Sequence, residues 1–447
     1  MKKYLIKEVY IVNEGKITYG DILIDKGKII KISSSIAADK NSEVINANGL
    51  YVLPGMIDDQ VHFREPGMTY KGDIESESMA AVMGGITSYM EMPNCSPPTT
   101  NIKNIIDKKN IAKYKSHANY SFYLGAANDN QKEILKIKPN DVCGIKIFMG
   151  SSTGNMLVDN IKTLEYFFRN SPTVIATHCE DTPLIEKNEK YFRRRFGENI
   201  PFNLHSKIRS REACLRSSNL AVDLAKKFDS RLHVLHITSK EEIGLFTQKI
   251  PIEDKKITAE ACVHHLFFSE KDYEIKKGLI KCNPSIKEEY DRIALLNGIN
   301  NNYIDVVATD HAPHTWQEKI GDYFACHAGL PLVQHALLSL IEHYFSGLLS
   351  LEKIVEKTSH NPAIVYKVKE RGFIREGYWA DLVLINLNFP NKIQNINTKY
   401  KCGWNPFHGE TFNSKIEKTF VNGILKYDED KIVSDNLGRV LDFKHNF

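Results

Sequence analysis

Residues 173–180 read TVIATHCE, and this stretch decides the fold because an apolar run typical of a buried strand ends there in polar residues. Seven other stretches have the same form, and longer charged segments able to form helices separate them. They are LPGMIDDQVHF (53–63), GITSYMEMP (85–93), NYSFYLGA (119–126), VCGIKIFM (142–149), LHVLHITS (232–239), ITAEACVHH (257–265) and IDVVATDHAP (304–313). Eight strands that alternate with helices are typical of parallel βα units, so we predict an α/β fold built on a (β/α)8 TIM barrel.

The two ends of the chain have a different pattern. Short alternating runs punctuated by Gly and Asn indicate small antiparallel strands before and after the barrel. Asn422 and Gly423 form a pair that favours a two-residue hairpin turn. We therefore predict one small β-sandwich domain made by both ends of the chain. The predicted parts are 1–54 (first part of the β domain), 55–375 (barrel) and 376–447 (second part of the β domain).

Composition excludes several classes of protein. The chain has 447 residues, of which 42% are hydrophobic and 26% charged, so a disordered protein is excluded. A net charge of +4 gives no strong field for nucleic acid. The eight cysteines contain no Cys-x-x-Cys pair, and no run of about 18 apolar residues is present. We expect a reduced, cytoplasmic protein with a small-molecule substrate, no nucleic-acid partner and no membrane contact.

Metal-binding and acid–base residues stand at the ends of five of the eight runs, at His62, Lys146, His178, His236 and Asp310. The carboxyl ends of barrel strands are where TIM-barrel enzymes collect their catalytic groups. Imidazoles and carboxylates are ligands that Zn²⁺ prefers, so the pattern predicts a metal site. Lys146 stands out in this set because an ammonium group cannot coordinate a cation.

The sequence resembles the amidohydrolase superfamily and, within it, the dihydroorotases. The resemblance covers nearly the whole chain and includes GIKIFMGSSTGNM (144–156) around Lys146. Seven more segments follow in the family's order: DDQVHFREPG (58–67), MPN (92–94), HCED (178–181), HITS (236–239), TAEACVHHL (258–266), NPSIK (283–287) and TDHAPH (309–314). The resemblance implies a barrel of the metal-dependent hydrolase type, in which a carboxylated Lys146 bridges two zinc ions.

One residue departs from the family's pattern. Gln60 stands where the first histidine of a His-x-His pair usually binds the more buried metal. A glutamine carbonyl is a weak zinc ligand, so the position that keeps His62, Lys146 and Asp310 should bind zinc less tightly. The other position, with Lys146, His178 and His236, matches the family. We expect one firmly bound zinc and a second that is partial or absent.

The resemblance also implies a substrate and a reaction. The substrate-binding residues would be Arg64, Asn94 and His314 at a carboxylate, Asn283 at the ring, and the backbone of Ala328 and Gly329. A guanidinium group suits planar recognition of a carboxylate. The implied reaction is the reversible hydrolysis of (S)-dihydroorotate to N-carbamoyl-L-aspartate in de novo pyrimidine (UMP) biosynthesis, with Asp310 as catalytic base and then acid.

Several alternatives stay open. Arg64 could instead form a salt bridge with Glu65 or Asp73, and Asp310 could cap a helix. The chain could be another cyclic amidase, such as a hydantoinase or allantoinase, or a non-catalytic partner of aspartate transcarbamoylase. A homodimer is the default assembly for a soluble enzyme. Cys179 and Cys262 could be soft metal ligands, but we interpret them as packing residues. We interpret His264 and His265 as packed or hydrogen-bonded barrel residues, with the alternative that one of them orients a metal ligand or the hydroxide.

Overall fold

The computed structural model describes residues 2–138, 140–150 and 154–444. Five strands come first along the chain: β1 (Lys3–Asn13), β2 (Lys16–Asp25), β3 (Lys28–Ser33), β4 (Ser42–Asn46) and β5 (Tyr51–Pro54). Strands β1, β2 and β3 form an antiparallel meander, while β4 and β5 pair with β1 in parallel. The N-terminal segment is thus a mixed sheet with short turns, as its alternating runs predicted.

The next eight strands form a parallel sheet in sequence order. They are β6 (Met56–Val61), β7 (Ile86–Glu91), β8 (Asn119–Gly125), β9 (Gly144–Phe148), β10 (Ile175–His178), β11 (Leu232–Val234), β12 (Ile257–Cys262) and β13 (Val306–Ala308). All eight predicted strands are confirmed. Nearly every residue in them is buried, because side chains fill the inside of the ring and helices cover its outside.

Helices follow the barrel strands and cover them. Those of ten residues or more are α1 (Ile74–Met83), α2 (Ile102–Lys113), α3 (Ile161–Asn170), α4 (Thr182–Phe196), α6 (Arg211–Phe228), α10 (Glu289–Asn300) and α12 (Ala336–Phe345). The shorter ones are α5 (His205–Ile208), α7 (Lys240–Ile243), α8 (Val263–Phe267), α9 (Tyr273–Lys276), α11 (Trp316–Lys319), α13 (Leu351–Val355) and α14 (Asn361–Val365). Of the helices in the described ranges, none is long and apolar enough to span a bilayer.

Helix α3 shows why these segments are helical. Its N-cap Asn160 accepts hydrogen bonds from the backbone NH groups of Lys162 and Thr163. Its apolar residues Leu164 and Phe168 lie four positions apart and are buried against the barrel. The helix therefore forms because a capped start precedes an apolar stripe that the sheet can cover.

The ring closes between its first and last strands at a seam. In the described chain, one isolated β-bridge from Val61 to His311 joins these strands, where the other neighbours share a longer ladder. Side chains complete the seam: Thr309 donates through its Oγ1 to Asp58 Oδ2 (2.6 Å), and its backbone NH donates to Asp58 Oδ1 (3.1 Å). The barrel is thus closed largely by side-chain hydrogen bonds next to its polar end.

The C-terminal strands return to the N-terminal sheet. They are β14 (Leu382–Asn386), β15 (Asn391–Lys392), β16 (Thr411–Phe412), β17 (Lys415–Val421), β18 (Ile424–Asp428) and β19 (Lys431–Ile432). Strand β14 pairs with β5, so strands from both chain ends form one nine-stranded sheet. Asn422 and Gly423 form the predicted two-residue turn, with φ angles of 54° and 69°. The domain limits at residues 54 and 375 stay a prediction.

Candidate active site

A cavity of about 230 Å³ opens at the carboxyl ends of the barrel strands. Four cavities elsewhere are larger, at about 970, 580, 420 and 280 Å³, but none of these four is lined by any of the predicted site residues. Chemistry rather than size therefore distinguishes this cavity. It is lined by all eleven predicted site residues, namely His62, Arg64, Asn94, Lys146, His178, His236, Asn283, Asp310, His314, Ala328 and Gly329, and by Gln60, Phe148 and Ala312.

Two imidazole rings meet at the ends of β10 and β11. His178 donates through Nε2 to Glu180 Oε2 (2.8 Å), which leaves Nδ1 directed at His236. His178 Nδ1 and His236 Nε2 lie 2.9 Å apart, and both side chains are buried. Burial lowers the pKa of both rings, so both are neutral and able to offer a lone pair.

Glu180 is a site residue that the sequence reasoning missed. It is fully buried and holds His178 in one tautomer. Burial alone would raise the pKa of this carboxyl, but the ion pair with Arg209 and the bond to His178 lower it to about 2. Glu180 is therefore ionised, and it orients the imidazole as carboxylates do behind metal-binding histidines. Its place in the HCED segment, two residues after His178, was the available signal.

Lys146 reaches the cavity from the end of β9. Its side chain is buried, and its Nζ forms no ion pair or hydrogen bond with any described residue. The nearest aromatic face is that of Phe148, whose ring centroid is 4.7 Å from Nζ. Burial lowers the pKa of Lys146 to about 8, so a fraction of the amine is neutral near pH 7. Residues 151–153 of the motif around Lys146 lie outside the described residues.

His62 and Asp310 face each other across the barrel seam. His62 Nδ1 lies 2.7 Å from Asn94 Oδ1 and donates to it, and His62 Nε2 lies 3.0 Å from Asp310 Oδ1. Gln60 Nε2 donates to the same oxygen of Asp310 (3.0 Å). Gln60 thus presents its amide NH₂, rather than its carbonyl, to Asp310. Asn94, predicted as a substrate-binding residue, also orients His62.

The alternative role of Asp310 as a helix cap is wrong. The next helix, α11, begins at Trp316, and its N-cap is Thr315. Asp310 instead has a left-handed backbone conformation, with φ of 51°, as do Arg64 (69°) and His236 (38°). Such conformations cost on the order of 1–3 kcal/mol for residues other than glycine and are found at functional sites. Here they direct three of the predicted side chains into one cavity.

The donor groups of the cavity fit a divalent cation. Two neutral imidazoles, at His178 and His236, converge on one side, and His62 with the carboxylate of Asp310 converge on the other. These nitrogen and oxygen donors are those that Zn²⁺ binds. Lys146 lines the same cavity and could join the set only after its amine has become an anion.

Basic groups form the opposite wall. Arg64 donates through Nε to the carbonyl of Pro313 (3.1 Å), and its Nη2 lies 3.1 Å from His314 Nε2. Lys71, a residue not predicted for the site, places Nζ 3.1 Å from His314 Nδ1. Burial, and then the charges of Arg64 and Lys71, lower the pKa of His314, so its ring is neutral. This wall is suited to an anionic group of a ligand.

Arg64 does not form the salt bridge that was its alternative interpretation. Glu65 pairs with Lys115 (2.6 Å), and Asp73 pairs with Lys401 (2.6 Å). Within the described ranges Arg64 forms no ion pair. Because a buried guanidinium without a counter-ion is costly, this group is prepared to receive a carboxylate.

The remaining predicted residues present backbone and amide groups. Asn283 has a buried Oδ1 without a hydrogen-bond partner among the described residues, so it can accept an NH of a ligand. Gly329 has φ of 141°, and a Cβ there would lie 2.5 Å from the Ala312 oxygen. Only glycine therefore allows this close approach of two cavity-lining segments.

Lys319 was also missed, and it supports this wall from behind. Its buried ammonium donates to the carbonyls of Lys281 (3.1 Å), His327 (2.8 Å) and Gly329 (2.9 Å). Burial lowers its pKa to about 8. The segment 314–329 is partly helical through α11. Besides Lys319, Lys281 also holds it, because its Nζ donates to the carbonyls of Tyr323 and Cys326.

Comparison with known proteins shows which proteins this chain resembles. A profile of the amidohydrolase family matches residues 51–425. A protein named dihydroorotase from Methanosphaera stadtmanae is 32% identical over 413 residues, which cover 92% of this chain and 94% of that relative. One from Pyrococcus horikoshii is 31% identical over 439 residues, which cover 98% of this chain and 93% of the relative.

Solved structures share the architecture. An L-hydantoinase (dihydropyrimidinase) from Arthrobacter aurescens has a TM-score of 0.93 at 25% identity and covers 99% of this chain and 100% of its own. A dihydropyrimidinase from Brevibacillus agri has a TM-score of 0.87 at 23% identity, with 96% of each chain covered. The second likeness concerns the fold alone. The predicted barrel is confirmed, and the domain predicted as a small β-sandwich of both chain ends is a nine-stranded sheet that flanks the barrel.

Proposed function

This chain belongs to the amidohydrolase family and is a cyclic amide hydrolase, and from that premise we propose that it is a zinc-dependent dihydroorotase. The proposed reaction is the reversible hydrolysis of (S)-dihydroorotate to N-carbamoyl-L-aspartate in de novo pyrimidine biosynthesis. The proposal includes a cytoplasmic homodimer that binds this small molecule and no nucleic acid.

One observation carries the proposal: the unpaired guanidinium of Arg64 shares a small cavity with the His62, His178, His236 and Asp310 donors. A substrate that fits both walls needs a carboxylate close to a hydrolysable amide. Dihydroorotate has a carboxylate on ring carbon C6, and a single methylene separates that carbon from the C4 carbonyl, whose amide bond is hydrolysed. The substrates of a hydantoinase need not carry that charge, and they would leave Arg64 buried without a partner.

We propose that zinc is held by His178, His236 and a carboxylated Lys146, and more weakly by His62 with Asp310. The free and partly neutral amine of Lys146 supports its carboxylation, because only the neutral amine adds to CO₂. The orientation of Gln60 supports the weaker second position, since its amide NH₂ faces Asp310. When bound, zinc supplies Lewis-acid catalysis and makes water a stronger nucleophile near neutral pH.

The protein's own residues would bind, orient and transfer protons. Arg64, with His314 beside it, would bind the carboxylate, and Asn283 Oδ1 would accept the ring NH. Asp310 would take a proton from the attacking water and deliver it to the ring nitrogen as the C–N bond breaks. Dihydroorotate⁻ and water give N-carbamoyl-L-aspartate²⁻ and one proton, so lower pH favours ring closure.

Two other functions rest on specific observations. The likeness to the hydantoinase of Arthrobacter aurescens supports a cyclic amidase with another substrate. Gln60, which replaces an expected ligand, supports a non-catalytic partner of aspartate transcarbamoylase. Against the second function, every other predicted site residue is present and lines the cavity.

Chelation should abolish cyclisation of N-carbamoyl-L-aspartate by the purified chain, and added zinc should restore it. The site contains several candidate metal ligands but only one acid–base group, Asp310, so the reaction should depend on the metal. The measurement is the rate of dihydroorotate formation before chelation, after chelation and after addition of zinc. A well-folded, zinc-loaded protein without turnover would support the non-catalytic partner. Turnover of hydantoin but not of N-carbamoyl-L-aspartate would support the other cyclic amidase.

Replacing Glu180 by Gln should weaken zinc binding by about 10- to 100-fold, because the amide no longer fixes the tautomer of His178 as an ionised carboxylate does. Competition with a chromophoric chelator measures this affinity. Glu242→Gln is the matched control, since Glu242 is also buried but bonds to Ser218 and Ser239. Equal affinities in both variants would contradict the role assigned to Glu180.

A further inference from the structure

A second group of metal-binding side chains lies beside the cavity, and none of the roles given above uses it. Cys262 ends β12, and His264 and His265 follow in the first turn of α8. Each of the three offers one sulfur or nitrogen atom, and these atoms all lie within 4.8 Å of one another. All three side chains are buried; Cys262 forms no disulfide, and its Sγ lies 3.5 Å from Glu260 Oε1. We call this group the Cys262 cluster.

The ring nitrogens of the Cys262 cluster lack normal partners. Neither nitrogen of His264 has a hydrogen bond of normal geometry within the described ranges. Burial lowers the pKa of the ring, and the backbone carbonyl of Thr309 is near enough to raise that pKa by a smaller amount. His265 donates through Nε2 to the carbonyl of Pro284 (3.0 Å), which leaves the lone pair of Nδ1 without a partner. A buried polar group left unpaired costs about 1–3 kcal/mol, so plain packing explains these rings poorly.

Gln60 connects the cluster to the barrel seam. Its Nε2 is held by Asp310, so its carbonyl oxygen Oε1 points the other way and lies 3.8 Å from Cys262 Sγ. Two ligands of one tetrahedral zinc ion, with Zn–S of about 2.3 Å and Zn–O of about 2.1 Å, lie about 3.6 Å apart. The spacing between Gln60 Oε1 and Cys262 Sγ is thus close to that of two ligands of one ion.

We propose that Cys262, His264 and His265 bind a divalent cation that accepts sulfur, such as Zn²⁺, with the Gln60 carbonyl as fourth donor. One thiolate, two imidazoles and one oxygen form a normal tetrahedral set for zinc. Binding would convert Cys262 from thiol to thiolate and release its proton to solvent. The Gln60 carbonyl would then bind the ion of the Cys262 cluster, while the Gln60 amide NH₂ donates to Asp310.

Cobalt substitution tests the proposal without any measurement of turnover. The full-length protein is stripped with a chelator and loaded with excess Co²⁺, and its absorption spectrum and bound cobalt are measured. We expect a thiolate-to-cobalt charge-transfer band from cobalt bound to Cys262. The band would report on the Cys262 cluster, because the proposed active-site ligands include no sulfur. The variant Cys262→Ser should lose this band and bind one fewer Co²⁺ ion per chain.

Cys179→Ser is the matched control. Cys179 is a buried thiol next to His178, but its sulfur bonds to Thr177 Oγ1 and lies outside the cluster. This variant should keep the band. A cobalt-loaded wild type without the band contradicts the proposal, even if Cys262→Ser does not fold, and so does a band that Cys179→Ser removes. Because no outcome depends on activity, the proposal can fail or hold independently of the dihydroorotase assignment.

Discussion

An Asp310→Asn variant should lose at least about 10³-fold in kcat for dihydroorotate hydrolysis, because the amide cannot accept the proton of the attacking water. The carboxylate sits at the barrel seam with His62 Nε2 and Gln60 Nε2 on the same oxygen. An asparagine has nearly the same shape, so the fold should persist. Steady-state kinetics measure the effect, and the zinc content of the variant separates lost chemistry from lost metal.

Asp305→Asn is the control for Asp310→Asn. Asp305 is a buried carboxylate just before β13, the strand that Asp310 follows. It pairs with Lys255 (2.7 Å) away from the cavity. This variant should keep kcat within about tenfold of the wild type, since it removes no proton-transfer group. If both variants retained normal turnover with zinc bound, Asp310 would not be the base.

An Arg64→Met variant should lose about 10²- to 10³-fold in kcat/KM for N-carbamoyl-L-aspartate, because removing one partner of a buried charged pair costs about 3–4 kcal/mol. Hydantoin has no carboxylate, so any turnover of hydantoin by the protein should change little. The ratio of the two kcat/KM values is the measurement. This ratio changes if Arg64 recognises the carboxylate, whereas general disruption of the site would lower both kcat/KM values.

Arg231→Met serves as the matched control for Arg64→Met. Arg231 is partly buried where Arg64 is buried, and it also donates to a backbone carbonyl, that of Val365, at the other end of the barrel. It should leave both substrates unaffected. An equal loss for both substrates in Arg64→Met would assign Arg64 a structural role through its bond to Pro313 instead.

The convergence of the candidate metal ligands on one cavity could be predicted because of how parallel strands are arranged. His62, His178, His236 and Asp310 each follow an apolar run, and the carboxyl ends of barrel strands meet at one face. Strand periodicity alone therefore placed residues that are up to 248 positions apart on one cavity. The hairpin at Asn422 was predictable for a similar reason, since its turn residues act locally.

The supporting residues could not be predicted in this way. Glu180 is paired with Arg209, which comes from the segment before α6, and Lys319 donates to backbone carbonyls of two different segments, at Lys281 and at His327 and Gly329. These contacts depend on how loops cross the barrel end, and no periodicity encodes that. The partners of Glu65 and Asp73 were missed for the same reason, because Lys115 and Lys401 lie far away in sequence.

The seam between the first and last strands has a mechanical consequence. The joint has a single β-bridge in the described chain, and His62 and Asp310 stand on its two sides. An ion bound by both would cross-link the first and last strands through residues 248 positions apart in sequence. A ligand that binds only the folded form stabilises that form by mass action. Loading the proposed weaker metal position should thus stabilise the barrel at the joint where its backbone is least connected.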